Sequence, residues 1–537
     1  MYLVIAVMFV TTVLLAAVLT ATSSDASLSR KDLDLKKATY AAQAGIADYL
    51  QQLNANPNYW TTCPTSAGYS SGATVSIPDS TDGEESYSFT PIPAPGYSAC
   101  STSNPTGSMV TSAGTFRVQF NGFSGVSNIS QLSQPAARSI IVTFKHESFL
   151  NYVYFTQYEQ QNPSLDGTGS SACVDQTAKQ IVTAQQSGGD SACTLINWVT
   201  NDNVNGPMFT DDYLYVCGQP RWGSMPSDTI YTQGIVDNNT CSPDSPYVNS
   251  PGGSVAGEGT LDENYTPLTI PQSNDTLEAL AQQNGQVYYG VTDITLGASG
   301  YTVTNATTGT AVPESYPTNG VLYVAASSSA NCDGPAYDPN SETYSEYQSG
   351  GSDYGCGTVF VSGTYGSSLT IASSQDIVIT GNLISGASNA LLGLVPQNWA
   401  RVYHPVVYGG AASDCNAPGN ASNGTGSLTN PTIDAAILTT TDSWVVDNNA
   451  CGAQLGNLTV DGAIAQYYRG VVGSGGSSGT GYIKNYEYDT RLEDESPPYF
   501  LSPVNPAWSI QSESQCAAIG HVTYTTTANP NLTNVCY

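Results

Sequence analysis

Four aspartates carry the functional groups from which acid–base chemistry on a glycosidic or acyl bond is built: Asp211 and Asp212, adjacent in FTDDYLYVC, and Asp442 and Asp447, in TTDSWVVDN. Two carboxyl groups divide general-acid and general-base work only when burial drives their pKa values apart. Nothing in the sequence puts these four on one face, and aspartate in Gly/Asn-rich segments is commonly a turn former. The run Glu493-Asp494-Glu495 and the pair Asp211-Asp212 offer oxygens to a calcium ion but lack the spacing of a calcium loop, so solvated loop acids are expected. With histidine at His146, His404 and His521 alone and no Cys-x-x-Cys, zinc ligation is not expected either. The expectation is a protein with no catalytic residue, no cofactor and no metal.

The 12 cysteines point to stability instead of reactivity. In chain order they are Cys63, Cys100, Cys173, Cys193, Cys217, Cys241, Cys332, Cys356, Cys415, Cys451, Cys516 and Cys536. Paired as neighbours they are separated by 37, 20, 24, 24, 36 and 20 residues, each pair enclosing a Gly/Ser/Asn/Asp-rich stretch. An even, scattered set of this kind reads as cystines made in an oxidising compartment. Each local bridge restricts the unfolded chain by on the order of 3 kcal/mol.

Charged residues make up 10% of the chain, against a usual value of about 25%. The formal net charge is −30, and four of the 13 basic residues (Arg30, Lys31, Lys36, Lys37) sit together near the start. A body this acidic repels phosphate backbones, which excludes nucleic-acid binding by a basic groove. Its 35 tyrosines and six tryptophans suit core, subunit contacts and contact with glycans on a host or other surface.

The element that organises the rest is the N-terminus. Tyr2 to Ala21 reads YLVIAVMFVTTVLLAAVLTA, without a charge; as a helix it rises about 30 Å, the thickness of a bilayer's hydrocarbon. A cleaved secretory signal would carry a basic start and a shorter apolar run. Beyond it, Leu28, Leu35, Ala42, Ile46, Tyr49, Leu50 and Leu53 recur mostly at spacings of seven, four or three, an amphipathic continuation of the same helix. Asn54 to Pro57 supplies the stop, giving a rod of about 80 Å. The small residues of the patch AAQAGI, Ala41 to Ile46, would let another helix approach closely, as in a bundle. The basic residues after the span favour the cytoplasmic side; Asp25, Asp32 and Asp34 dilute that bias, and the cystine-rich body places the following residues outside.

Several segments, quoted as they stand, resemble a family. LSRKDLDLKKATYAAQAGIADYLQQLNANPNYWTTC (Leu28 to Cys63), DNVNGPMFTDDYLYVCGQPRWG (Asp202 to Gly223) and GTGYIKNYEYDTRLEDESPPYFLSPV (Gly479 to Val504) resemble large pilin-like proteins of the PilX N-terminal type found in actinobacteria, as do GLVPQNWARVYHPV (Gly393 to Val406) and LGNLTVDGAIAQYYRG (Leu455 to Gly470). The resemblance implies a type IV pilus component made with a leader peptide, processed, and assembled outward by inner-membrane machinery. Ile5 stands where a major pilin carries an acidic residue, which implies a minor or specialised subunit.

The body reads as strands. TFRVQF (Thr115 to Phe120) and RSIIVTFKHESFLNYVYFTQYE (Arg138 to Glu159) alternate. From Val321 the short runs VLYVAA, TVFVSG, SLTIAS, DIVITGNLISG, ARVYHPVV, DAAILTT and GNLTVDGAIAQ are bounded by small or polar turn residues. With no long helical pattern between them, stacked parallel rungs fit better than a βαβ sheet, a β-sandwich being the alternative. VNGPMF, ITGNLI and VDGAI share a glycine (Gly206, Gly381, Gly462) expected at corresponding corners.

The fold expected is therefore α+β: a hydrophobic and amphipathic helix over 1–54, a small β-rich region over 55–160 packed near it, a loop-rich β region over 161–320, and a solenoid-like region over 321–537. The function expected is an extracellular filament subunit held in the membrane before assembly, meeting copies of itself and other pilins through Tyr2, Leu3, Val4, Ile5, Val7, Phe9, Val10, Val13, Leu14, Leu15, Val18, Leu19, Leu28, Leu35, Ala42, Ile46, Leu50 and Leu53. The competing expectations are a membrane-anchored β-helix enzyme acting on envelope polysaccharide and a surface adhesin that does not polymerise.

Overall fold

The structure, a computed structural model, describes residues 1–55, 59, 75–77, 85–94, 97, 108–111, 114–124, 136–165, 173, 175–186, 193–237, 259–327, 332, 342, 344–409, 421–474, 479–493, 495–504 and 508–516. They fall into two compact units, residues 1–147 with 507–537 and residues 148–506. Residues 160 and 320, expected as boundaries, both lie inside the second unit, where strands on either side of each pair with one another. The chain is α+β, a long N-terminal helix followed by a strand-rich body.

The first unit is built on α1, Tyr2–Ala55, and an antiparallel sheet of β1 (Val75–Ser76), β2 (Ser86–Ile92), β3 (Thr115–Ser124), β4 (Ala136–His146) and a closing strand, Trp508–Cys516, in that order. β3 alternates strictly, so that Phe116, Val118 and Phe120 share one buried face. That face receives Ala42, Ile46, Tyr49 and Leu53 of α1, together with Ile140, Val142 and Phe144 of β4 and Trp508. Tyr49 is the centre of the contact, its ring edge-on to Phe89 at 5.0 Å and to Phe120 at 5.6 Å.

The small residues of α1 meet a strand within the unit. Ala38, Ala41 and Ala42 are buried, and a side chain at Gly122 of β3 would bring its Cβ within 1.9 Å of the Ala38 carbonyl oxygen. Backbone therefore touches backbone, which only glycine on one side and alanine on the other permit. Polar contacts fix the register: Tyr87 donates to Asp48 at 2.7 Å, Lys37 pairs with Glu85 at 3.0 Å, and the Trp508 N–H donates to Asn54 at 2.9 Å.

The second unit, entered after β4 and left before the closing strand, is a stack of short rungs. One ladder runs, each strand parallel to the next, through Gln286–Tyr289, Val321–Ala325, Leu369–Ser373, Leu392–Pro396, Thr432–Leu438, Asn457–Tyr468, Tyr154–Tyr158, Met208–Thr210, Thr229–Tyr231 and Thr260–Asp262. A second links Thr292–Gly297, Val359–Tyr365, Ile377–Ser385, Ala400–Val402 and Trp444–Val446. A third continues from Asn457–Tyr468 through Ile483–Tyr488 and Asn203–Asn205 to Arg221–Trp222. Antiparallel pairing is confined, among the described strands of this unit, to the extension Gly300–Asn305 and Val312–Glu314 and the pair Val406–Tyr408 with Ala421–Asn423.

Order along the stack is not order along the chain. Ile464 sits opposite Tyr154, so the chain enters at the middle of the stack, lays rungs outward to residue 262, and then crosses to the far end. The crossing strap is anchored rung by rung. The Ile270 N–H donates to Gln157, Gln272 to the Thr440 carbonyl, and Asn274 to the Ser373 and Val395 carbonyls, while Asn319 donates to the Leu280 carbonyl of the helix Asp275–Asn284. Leu268, Ile270, Leu277 and Ala281 of the strap cover Phe155, Phe209, Tyr323, Ala372, Val395, Leu438 and Ala465. Their immediate neighbours in the rungs, among them Tyr154, Met208, Leu322, Ile371, Leu394, Ile437 and Ile464, fill the core. The first ladder is thus buried on both faces, which is why its rungs read as continuous apolar runs.

Gly206 and Gly462 occupy the same corner, between the third ladder and the first. Gly381 lies one corner earlier, inside Ile377–Ser385, where the register with Val359–Tyr365 shifts. Cys173 bonds Cys193 and Cys332 bonds Cys356, as neighbour pairing anticipates. Cys217, Cys451 and Cys516 are also disulfide-bonded. Cys63, Cys100, Cys241, Cys415 and Cys536 lie outside the described residues.

Candidate functional site

Two sets of residues stand out from ordinary packing. The first is the apolar start of α1. Tyr2–Thr20 has a mean hydropathy of 2.7 and no part of it is buried within the chain; Phe9 is 70% exposed and Leu15 62%. Its threonine hydroxyls are satisfied internally: Thr11 donates to the Val7 and Met8 carbonyls, Thr12 to Met8 and Phe9, and Thr20 to Ala16 and Ala17, at 2.8 to 3.0 Å. A helix with its backbone and side-chain polar groups closed on itself is suited to an apolar medium.

The residues expected to meet other chains divide along the rod. Tyr2, Leu3, Val4, Ile5, Val7, Phe9, Val10, Val13, Leu14, Leu15, Val18 and Leu19 are exposed. Leu35 and Leu50 are half-buried, whereas Ala42, Ile46 and Leu53 are buried against the chain's own sheet. The close approach expected of the Ala41–Ile46 patch toward another helix is taken up by that sheet. The Leu28 side chain lies outside the described residues.

The second set is a group of buried charges in the second unit. Where the rung Asn457–Tyr468 meets the rung Tyr154–Tyr158, Arg469 pairs with Glu159 at 2.7 Å, both out of solvent. The guanidinium lies 3.9 Å over the Trp198 ring, whose indole N–H donates to Glu159 at 3.1 Å; the Thr156 hydroxyl donates to the other carboxylate oxygen. One rung away Lys484 pairs with Asp202 at 2.7 Å, and burial lowers the Lys484 pKa against the pull of that carboxylate. Gln466 donates to the Tyr154 hydroxyl at 3.1 Å. The Glu159–Arg469, Asp202–Lys484 and Tyr154–Gln466 partners are 310, 282 and 312 residues apart in sequence.

Arg401 holds a further cluster, contacting Glu342 at 2.8 Å, Asp376 at 3.0 Å and Asp447 at 2.9 Å, with the Tyr347 hydroxyl 2.6 Å away. One cation cannot compensate three buried carboxylates, and burial pushes Glu342 up to about 8 despite Arg401.

This accounts for the aspartates singled out at the start. Asp447 is committed to Arg401. Asp212 is buried and accepts the N–H groups of Glu159, Ala178 and Tyr213 at 3.0, 2.9 and 2.6 Å; burial raises it to about 7. Asp442 accepts from Asn162 and from the Thr441 hydroxyl at 3.1 Å, and burial raises it also to about 7. Asp211 is half-buried in the turn beside Asp212. His404 is buried, its ring nitrogens 3.0 Å from the Asp447 carbonyl and 3.1 Å from Asn423. Among the described residues no group of three or more His, Cys, Asp or Glu is arranged to hold a metal ion.

The sequence reading passed over Arg401, Arg469 and Lys484. The signal was present: each is a lone cation inside an apolar or aromatic run (NWARVYH, QYYRGVV, GYIKNYE) of a chain that has few cations.

No family model matches the sequence, and no curated protein matches it. Among solved structures it is similar to the competence-associated pilin ComZ from Thermus thermophilus, at 12% identity over 89% of this chain and 97% of that one, with a TM-score of 0.26. At that level the likeness does not define a shared fold.

Proposed function

We propose that the chain is a non-enzymatic, pilin-like subunit of an extracellular filament, held in the membrane by Tyr2–Thr20 before assembly and packed through the same residues against copies of itself and other pilins afterwards. The observation that carries this reading is the division of one continuous helix. One stripe of its later turns, Ala42, Ile46, Tyr49 and Leu53, is covered by the chain's own sheet, while Tyr2–Thr20, apolar and 0% buried, finds no cover among the described residues. Nineteen such residues left in water are strongly unfavourable, at about 25 cal/mol for each Å² that a neighbour or lipid would cover. We read the second unit as a β-solenoid displayed at the surface, because its neighbouring rungs pair in parallel, and we assign its buried acids to folding, because Asp447 and Asp212 are bonded within the unit. Assembly by inner-membrane machinery and adhesion belong to the same proposal.

Leu15→Asp tests it. A carboxylate at the centre of a membrane helix costs about 2.5–3.5 kcal/mol, so the variant should lose membrane retention and yield no filaments by electron microscopy, while the second unit melts at its usual temperature. Filaments of normal number and length from Leu15→Asp would refute the assembly role.

A further inference from the structure

Lysine–carboxylate pairs among the described residues differ sharply in exposure. Lys36 and Asp32 each keep 66% of their side chains in solvent, and Lys37 and Glu85 keep 30% and 12%. Lys484 and Asp202 keep 6% and 3%, with Nζ 2.7 Å from Oδ2. Asn485 and Asn203 are register partners on parallel rungs, and Lys484 and Asp202 are the residues just before them, so the pair bridges neighbouring rungs.

Both groups are held in place. The Asp202 N–H donates to the Val199 carbonyl at 3.1 Å, and its own carbonyl accepts the Arg221 N–H at 2.9 Å. The Val199 N–H donates to Oδ2 at 3.1 Å. The turn between them is closed by Asn201 in the left-handed region, at φ 78°. Nζ lies 5.5 Å from the centre of the Trp198 ring, which is fully buried and edge-on to Trp222 at 5.9 Å. An amine and a carboxyl group are thus fixed in contact, in apolar surroundings and out of water.

In water a free amine and a free acid stay apart because both ionise and are hydrated. Buried, the two ions lose that hydration; burial also lowers the Lys484 pKa, which brings the neutral amine within reach. Holding the two groups together removes the entropic barrier to their reaction.

We propose that Lys484 and Asp202 condense, once the second unit has folded, into an amide bond between their side chains. The ammonium passes one proton to Asp202 Oδ1, and the Nζ lone pair attacks Cγ. The Nζ–Cγ bond forms, the Cγ–Oδ1 bond breaks, and Oδ1 leaves as water with that proton and a second one from Nζ. Nothing is oxidised or reduced, and no co-reactant is consumed. Oδ2 remains as the amide oxygen, and the Val199 N–H already on it faces the charge that gathers there in the tetrahedral intermediate. The product ties residues 282 apart in sequence by a bond that reduction does not cut. Its formation needs the folded second unit and not a filament, so it goes beyond the assembly reading and stands or falls apart from it.

The test uses the full chain purified in detergent, then denatured, reduced and cut with trypsin. Trypsin cleaves after arginine and free lysine, so an unlinked chain yields residues 180–221 and 470–484 as separate peptides. The linked chain should instead yield 180–221 joined to 470–491, uncut at Lys484 and lighter than the two together by one water. Lys484→Arg keeps the charge but cannot condense; it should give separate peptides and, reduced in SDS, migrate differently from the unmodified chain, whose 202–484 segment is closed into a loop. Separate peptides of unaltered mass from the unmodified chain overturn the proposal, and that measurement decides it even where Lys484→Arg fails to fold.

Discussion

From Tyr2 to Thr20 the chain keeps its apolar side chains in the open, whereas at the junction of the rungs Asn457–Tyr468 and Tyr154–Tyr158 it keeps charged ones out of water. Both are inversions of the usual distribution, and each marks a place where a segment must select a distant partner. For the helix the partner proposed above lies outside the chain, and exposed hydrocarbon supplies a strong, undirected attraction. For the junction the partner lies about 300 residues away in the same chain, among many rungs of similar apolar character. Undirected attraction cannot distinguish those rungs. A buried charge can, because a pairing that brings it no counter-charge leaves it uncompensated.

The most damaging way to break this comparison is to remove one charge of the junction. Arg469→Met leaves Glu159 buried beside Trp198 and Thr156 with no cation, an expected loss of about 3–5 kcal/mol, readable as a lower midpoint of chemical denaturation. Combining it with Glu159→Gln should recover more than half of that loss, since the buried charge is then gone and the Trp198 N–H keeps an acceptor. If the double variant is no more stable than Arg469→Met alone, the pair does not act as a matched unit and the account of the junction fails.

The same contrast explains which parts of the molecule could be read from sequence. Contacts set by local periodicity were legible: the apolar run, the alternation of Thr115–Ser124, the short rungs after Val321, and the bridges Cys173–Cys193 and Cys332–Cys356. Contacts set by pairs far apart were not. Nothing in TFRVQFNGF says that Gly122 must lie against Ala38, so the small residues of α1 read as a site for another helix. Nothing near Tyr154 says that its neighbour is Ile464, so the middle of the stack read as a succession of separate regions. The acids read as candidate chemistry because their partners, Arg401 for Asp447 and the Glu159 and Ala178 N–H groups for Asp212, lie far away in sequence.

A smaller effect sharpens the comparison within α1 itself. The helix is unburied from Tyr2 to Thr20 and packed from Ala38 to Leu53, and at Gly122 the backbones approach closely. Gly122→Val should separate β3 from Ala38 and Ala42, costing about 1–3 kcal/mol as an overpacked contact and increasing amide exchange over Ala38–Leu53. Exchange over the second unit should be unchanged, because the substitution touches none of its rungs.

The smallest expected effect concerns pH, and its sign follows from the burial of Asp212, Asp442 and Glu342. Asp212 and Asp442 are raised by burial to about 7, far above an unfolded aspartate near about 3.9. Each therefore binds its proton more tightly in the folded chain. The stability this contributes is complete below about pH 4 and is lost as pH rises through about 7. Glu342, raised to about 8, extends the loss to slightly higher pH. The second unit should accordingly melt at a higher temperature at pH 5 than at pH 8. Asp442→Asn, which can still meet the Thr441 hydroxyl and turns its amide oxygen toward Asn162, should raise stability at pH 8 and reduce the slope. An unchanged slope in Asp442→Asn would mean that this aspartate is ionised throughout the range and that its burial does not govern its protonation.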